Sequence, residues 1–264
     1  MAALTLHIAS GDLAVPRLLA RGLEHVVPWR EALADGPVTV RKDELIPLRQ
    51  RWISQAYSSS TDAYDTMVTE VVNVITDPTW EHIVLHFDTD LFCVVNALFV
   101  STCCGHANTL AWEGGGEEYA LSTMDRAYLR SCWQAYAGAD PTLIEERIRQ
   151  APPRLAFVAR ALRAHCERFP STRTGLGAPE DIVAEILDRG LTDDIDVVQA
   201  FTALDANRYG WGDVQILREL RLVRQIRAGE PVRRSLGGVV QTTTGPHWQW
   251  DPLAHRLRWS EDKA

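Results

Sequence analysis

Leu4, Leu6 and Ile8 alternate with Thr5, His7 and Ala9, the two-residue period of a strand with one face inward. Ser10-Gly11-Asp12 then turns the chain into a short helix, Ala14 to Ala20, with Pro16 in its first turn, where the missing N–H costs nothing. His25 to Pro28 reads as a second strand, and Asp35-Gly36-Pro37 as a turn. Leu45, Leu48, Trp52 and Ile53 recur at helical spacing within Asp43 to Tyr57. A second helix, Ala63 to Ile75, has Ser60 or Thr61 as its cap. The apolar run Ile83 to Phe87 is too short for a helix and reads as a buried strand, 82–87. It ends in Asp88 and Asp90 and feeds a helix over 90–103. Asn108 to Trp112 is a further strand, and Gly114 to Gly116 a flexible surface loop.

Strand–helix alternation of this kind predicts an α/β fold: an open, mostly parallel, Rossmann-like sheet with flanking helices over 1–122. From Thr123 the pattern turns helical, with helices at 124–136, 141–150 and 153–168 in a connecting region, 123–170. Helices at 179–189, 196–204 and 212–228 follow, and then β-like runs at 238–243, 247–250 and 255–259. Three helices and a β-ribbon describe a winged-helix-like C-terminal module, 171–264.

HIASGD (His7 to Asp12), PWREALADGPV (Pro28 to Val38), DTDLFCVVN (Asp88 to Asn96), FPSTRTGL (Phe169 to Leu176) and GWGDVQILREL (Gly210 to Leu220) occur in that order. Together they resemble the bacterial DUF1835 family, a domain of unknown function, over most of the chain. Family members more often carry Asn-Gly-Asp where this chain has Ser10-Gly11-Asp12. Many carry Glu-His or Glu-Asp where it has Asp88-Thr89. The resemblance implies an architecture and no reaction.

Charge and cysteine usage narrow the setting. A net charge of −8 argues against broad attraction to nucleic acid or to an anionic membrane. Five cysteines with no CxxC pair read as free buried thiols in a reducing cytoplasm, and Met1 to Asp12 lacks the features of a signal peptide. The longest apolar run, near Leu91 to Val100, is too short to span a bilayer.

Candidate chemistry gathers at predicted strand ends, the edge where open parallel sheets bind ligands. Asp12, Arg30, Glu31, Asp88 and Asp90 all lie there. Carboxylates in one crevice shift one another's pKa and can share a proton or bind a divalent cation, although no Cys/His cluster has metal-ligand spacing. Arg30 can clamp a ligand carboxylate or phosphate, or pair with Glu31 as a structural ion pair. Asp90, Asp12 and His7 are the candidate catalytic residues; Asp12, Asp88 and Asp90 also suit helix N-termini. Ser10 and Gly11 join the ligand-binding set, as do Cys93 and Asn96, one and two turns along the helix after Asp90. A buried amide such as Asn96 needs a loop or ligand partner. Arg173, in the loop Phe169 to Gly177, can reach an anion or pair with an acid at a hinge.

Arg218, Arg221, Arg224 and Arg227 recur every three residues on the last long helix, with Arg233 and Arg234 beyond it. This basic helix is the nucleic-acid candidate. Asp193, Asp194, Asp196 and Asp205 in the same module weigh against it.

Two readings follow. One is a small-molecule-binding or hydrolase/transferase-type domain with an acidic crevice, whose tail closes the site or mediates a homodimer. As an enzyme it requires Asp12, Asp90 and Arg30 to share a pocket. The other is a ligand-responsive regulator binding nucleic acid through the tail, and it requires the basic helix to be free of acid partners. An interaction scaffold is a third reading.

Overall fold

A computed structural model describes residues 4–114, 117–205, 208–242 and 245–261. Strand β1 (Thr5–Ser10) passes through a 3-10 turn, Asp12–Ala14, into α1 (Val15–Ala20). Next come β2 (Val26–Trp29), the two-residue β3 (Gly36–Pro37) and α2 (Lys42–Ala56). Then α3 (Thr61–Tyr64) runs through a π turn, Asp65–Thr69, into α4 (Glu70–Ile75). Ser60 caps α3, its hydroxyl accepting from Ala63 N at 3.1 Å. Strand β4 (His82–His86) leads into α5 (Leu91–Cys103), and β5 (Thr109–Gly114) is followed by β6 (Glu117–Ala120).

These strands form a five-stranded sheet in the order β2-β1-β4-β5-β6, parallel except for β6. The chain leaves β1 toward one edge, to β2, and leaves β4 toward the other, to β5. The order therefore reverses between β1 and β4, where a doubly wound sheet opens a crevice beyond its carboxyl ends. Helix α5 is apolar all round and is buried accordingly: Leu91, Val94, Val95, Ala97, Leu98 and Val100 are shut off from solvent. It packs against α6 (Thr123–Ala137) and against α8 (Ala156–Cys166), which follows α7 (Thr142–Arg149). At about 1.5–3 kcal/mol per fully buried large side chain, α5 is a major anchor of the core.

Helices α9 (Ala178–Asp188), α10 (Asp194–Asp205) and α11 (Asp213–Arg227) come next. Two antiparallel hairpins follow, β7 (Arg233–Gly237) with β8 (Val239–Thr242) and β9 (His247–Asp251) with β10 (Arg256–Ser260). Strand β7 also pairs in parallel with β3, so one small sheet takes strands from both ends of the chain. One continuous apolar cluster runs from Leu6 to Leu257.

Three local expectations change. Gly114 is the buried last residue of β5, paired with Glu117 of β6, not a loop residue, and a Cβ there would run into the carbonyl oxygen of Phe87; residues 115 and 116 lie outside the described residues. Strands β3, β6 and β7 stand where none was expected, β3 on the Gly36-Pro37 read as a turn, which pairs with β7 instead. The run predicted over 238–243 is the second strand of its hairpin, and Thr243 lies outside the described residues. No helix among the described residues is long and apolar enough to cross a membrane.

Candidate functional site

The crevice between β1 and β4 is a cleft of about 590 Å³ between α1 and the N-terminus of α5. Ser10 at the end of β1, His86, Asp88 and Asp90 after β4, and Glu113 at the end of β5 line it, with Cys93 on α5. Parallel register brings them together, for His86 pairs with Ala9 on one side and Glu113 on the other.

Asp90 is the N-cap of α5: its Oδ1 accepts from Cys93 N at 2.8 Å. The next two free N–H groups of the helix are taken from a distance, Leu91 N by Arg208 O and Phe92 N by Tyr209 O, both at 3.0 Å. The chain over 208–210 thus lies across the helix N-terminus and satisfies donors a helix start leaves open. Gly210 completes this contact at φ +65°, and a Cβ on it would overlap the Asp90 carboxylate. Burial under this loop pushes the Asp90 pKa up, with a smaller push from Asp88. Burial, helped by the Asp90 charge, pushes the Cys93 thiol up to about 12, so it is a neutral thiol at physiological pH. Its Sγ lies 3.3 Å from Ser10 Oγ.

Along the other wall runs a chain of charged and polar groups. Arg21 grips Glu113 through two bonds, at 2.5 and 3.0 Å. Glu113 Oε2 lies 3.2 Å from His86 Nδ1, off the axis of a good hydrogen bond, and His86 Nε2 lies 2.9 Å from His7 Nδ1. Burial drives the His86 pKa down to about 4, against the pull of Glu113. Burial and then Arg21 lower that of His7. Both rings are neutral at pH 7, one donating to the other. With Glu113 matched to Arg21 at the C-cap of α1, Arg17 of α1 leaves this wall a net positive charge.

Several sequence candidates lie elsewhere. Asp12 and Arg30 form an exposed ion pair, Nη2 to Oδ1 at 2.7 Å, outside the cleft, and Arg30 holds the Asp12 pKa down. Asp12 makes no cap bond to the turn or helix that follows it. Gly11, at φ +78°, donates its N–H to Trp29 O at 3.0 Å and takes a backbone role beside the cleft. Glu31 does not pair with Arg30. It is buried against Arg49, which turns inward from α2. Asn96 is buried beneath the cleft, where its Oδ1 accepts from Trp29 Nε1 at 2.9 Å and its Nδ2 donates to Phe92 O at 2.9 Å. The same oxygen accepts from Leu33 N at 3.4 Å, so the amide ties α5 to the end of β2 and to the loop that follows it. Arg173 lies at a separate shallow depression with Glu167, Asp181 and Arg208. Of the expected set, Ser10, Asp88, Asp90 and Cys93 share the cleft, and His7 reaches it through His86.

Arg17, Arg21, Glu113 and Gly210 were not anticipated. The i, i+4 spacing of Arg17 in α1 and Arg21 at its C-cap was a usable signal. Glu113 and Gly210 carried none, since strand pairing and a distant loop deliver them. Among the described residues, donor atoms of Asp88, Asp90 and Cys93 lie within 4.8 Å of one another and form the one group that could hold a metal ion. The fit is poor: Asp90 already spends an oxygen on its helix, which leaves the group short of free oxygen donors.

The basic helix α11 is not a free stripe. Arg218 Nε meets Asp35 at 3.3 Å, Arg224 meets Asp194 at 3.1 Å, and Arg227 meets Asp188 at 2.7 Å. Ile216, Leu220 and Val223 face the core. Trp211 stacks on Tyr209 at 4.7 Å between ring centroids, a packing contact. No family model, curated protein or solved structure matches the chain, so the geometry alone carries the functional reading.

Proposed function

We propose that the protein binds a small polar metabolite in the cleft beyond the carboxyl ends of β1, β4 and β5. The observation that carries this is the cleft's two-sided lining at the point where strand order reverses. Asp88 and Asp90 stand on one side, and Arg17 and Arg21 on the other, around a floor of Ser10 and Cys93. Such walls suit a ligand with an amine or hydroxyl at one end and an acidic group at the other. Binding is favoured over catalysis because Asp12 and Arg30 stand outside the cleft and the Cys93 thiol is held neutral. The regulator reading loses support with the acid partners of Arg218, Arg224 and Arg227. Membership of the DUF1835 family, a bacterial cytoplasmic setting and a winged-helix-like tail belong to the same proposal. Motif order, five buried free cysteines, and three helices followed by hairpins support them.

Metabolite profiling of the purified chain against Asp90→Asn and Arg17→Gln tests the reading. A small polar compound enriched with the native chain and lost from both variants is expected. Equal profiles for all three proteins would remove the cleft from consideration.

A further inference from the structure

A second cavity, of about 310 Å³, shares no lining residue with the cleft and lies where β3 and α2 meet α9, α11 and β7. Five guanidinium groups line it, those of Arg168, Arg218, Arg221, Arg233 and Arg234, against the carboxyls of Asp35, Glu180 and Glu219. Part of that charge is spoken for. Arg218 meets Asp35, Arg168 Nη1 donates to Ala34 O at 2.7 Å, and Arg234 Nη1 bonds Glu180 Oε1. The rest is not. Arg234 has a side chain only 8% exposed, yet among the described residues its Nη2 is buried with no hydrogen-bond partner, as are Glu180 Oε2 and Glu219 Oε2 in the same lining. Arg221 and Arg233 stand exposed at the mouth, and no acid pairs with either among the described residues.

A buried guanidinium nitrogen without an acceptor is costly, and native folds rarely leave one so unless something else fills the place. We propose that this cavity is a binding site for a phosphate group, held by Arg234 from within and by Arg221 and Arg233 at the mouth. Several guanidinium forks on different elements suit a tetrahedral dianion better than a planar carboxylate, which one fork satisfies. Trp52, the aromatic residue of the wall, is overlaid by the guanidinium groups of Arg49 and Arg218, at 4.6 and 4.7 Å from the ring centre. It offers little surface for stacking a base, so recognition rests on the anion. The carboxyls oppose an anion less than their number suggests. Burial, with the neighbouring Glu180 charge, pushes the Glu219 pKa up to about 8, which makes it a neutral donor at pH 7.

Isothermal titration of the full chain in chloride buffer at pH 7, with inorganic phosphate and with glycerol phosphate, tests this. Arg221→Gln and Arg233→Gln remove exposed guanidinium groups, so the fold is retained, which circular dichroism checks. Binding that weakens roughly tenfold or more in either variant, and is unchanged in Arg189→Gln, is the expected result. Binding of both titrants marks the free anion as sufficient; binding of glycerol phosphate alone marks a phosphorylated metabolite. No binding of either at millimolar concentration, or equal binding by Arg221→Gln, Arg233→Gln and the native chain, would overturn the proposal. Dependence on Arg221 and Arg233, neither of which lines the cleft, keeps this outcome separate from that of the cleft.

Discussion

Replacing Arg49 with methionine removes a guanidinium whose five N–H groups are all engaged. Nε donates to Glu31 Oε1 and Nη2 to Oε2, each at 2.9 Å. Nη2 also donates to Ala32 O at 3.0 Å, while Nη1 serves Asp35 O at 2.7 Å and Pro37 O at 3.2 Å. Both partners are buried, Arg49 completely. Methionine matches the stem but leaves the Glu31 carboxylate with Tyr64 Oη and the Ala32 N–H and no countercharge. Breaking such a pair from one side costs about 3–5 kcal/mol. For a chain of this size that is a fall in melting temperature on the order of 10 °C. Glu31→Leu alone strands the arginine and costs a similar amount. The double variant Arg49→Met/Glu31→Leu costs less than the sum of the two, because neither charge is left alone. Urea unfolding followed by the fluorescence of the nine tryptophans measures the cycle. Single losses below about 1 kcal/mol, or additivity within about 0.5 kcal/mol, would refute the reasoning.

Two further predictions concern the cleft loop and the buried histidines. Gly210→Ala combines a left-handed backbone with a Cβ against Asp90, so it destabilises by at least ~1 kcal/mol and displaces the loop from the start of α5. Hydrogen exchange at the Leu91 and Phe92 amides reads this out, and unchanged protection there would count against it. His165 is wholly buried, with no partner for either ring nitrogen among the described residues, and burial holds its pKa well below 6.5; His86 is held near 4. The folded state thus binds fewer protons than the unfolded one below about pH 6.5. The stability these rings contribute is complete above that pH and falls as the pH drops toward 4, by at most ~1.4 kcal/mol per unit for each ring. His165→Leu should flatten the loss between pH 7 and 5 in denaturant melts, and a slope equal to the native one would contradict the assignment.

How much of this could be read from the sequence depends on whether a residue's role is set locally. β1, β4 and α5 were legible because each carries its own pattern: alternation, a short apolar run, and a long apolar run after an acid. Asp90 was legible as a helix cap beside a strand end, and it holds both positions. Arg49 was not, because an arginine in a polar-apolar helix looks like part of a solvated face. Its burial depends on Glu31 and on three carbonyls eighteen or fewer residues upstream, all presented by one tight loop. Strand β7 failed for a related reason. Its sequence, Arg-Arg-Ser-Leu-Gly, has the charge of a surface segment, and it becomes a strand by pairing with β8 and with the two residues of β3. That pairing carries Arg233 and Arg234 to the Arg218 side of α11, where Arg234 closes on Glu180. The basic character that looked like a nucleic-acid helix is therefore divided. One part is neutralised by Asp35, Asp194 and Asp188. The other is gathered around a cavity too small for a duplex and large enough for a phosphate. Spacing along α11 alone could not separate these, because the partners that decide each arginine's fate come from the loop before β3, from α9 and from the start of α10.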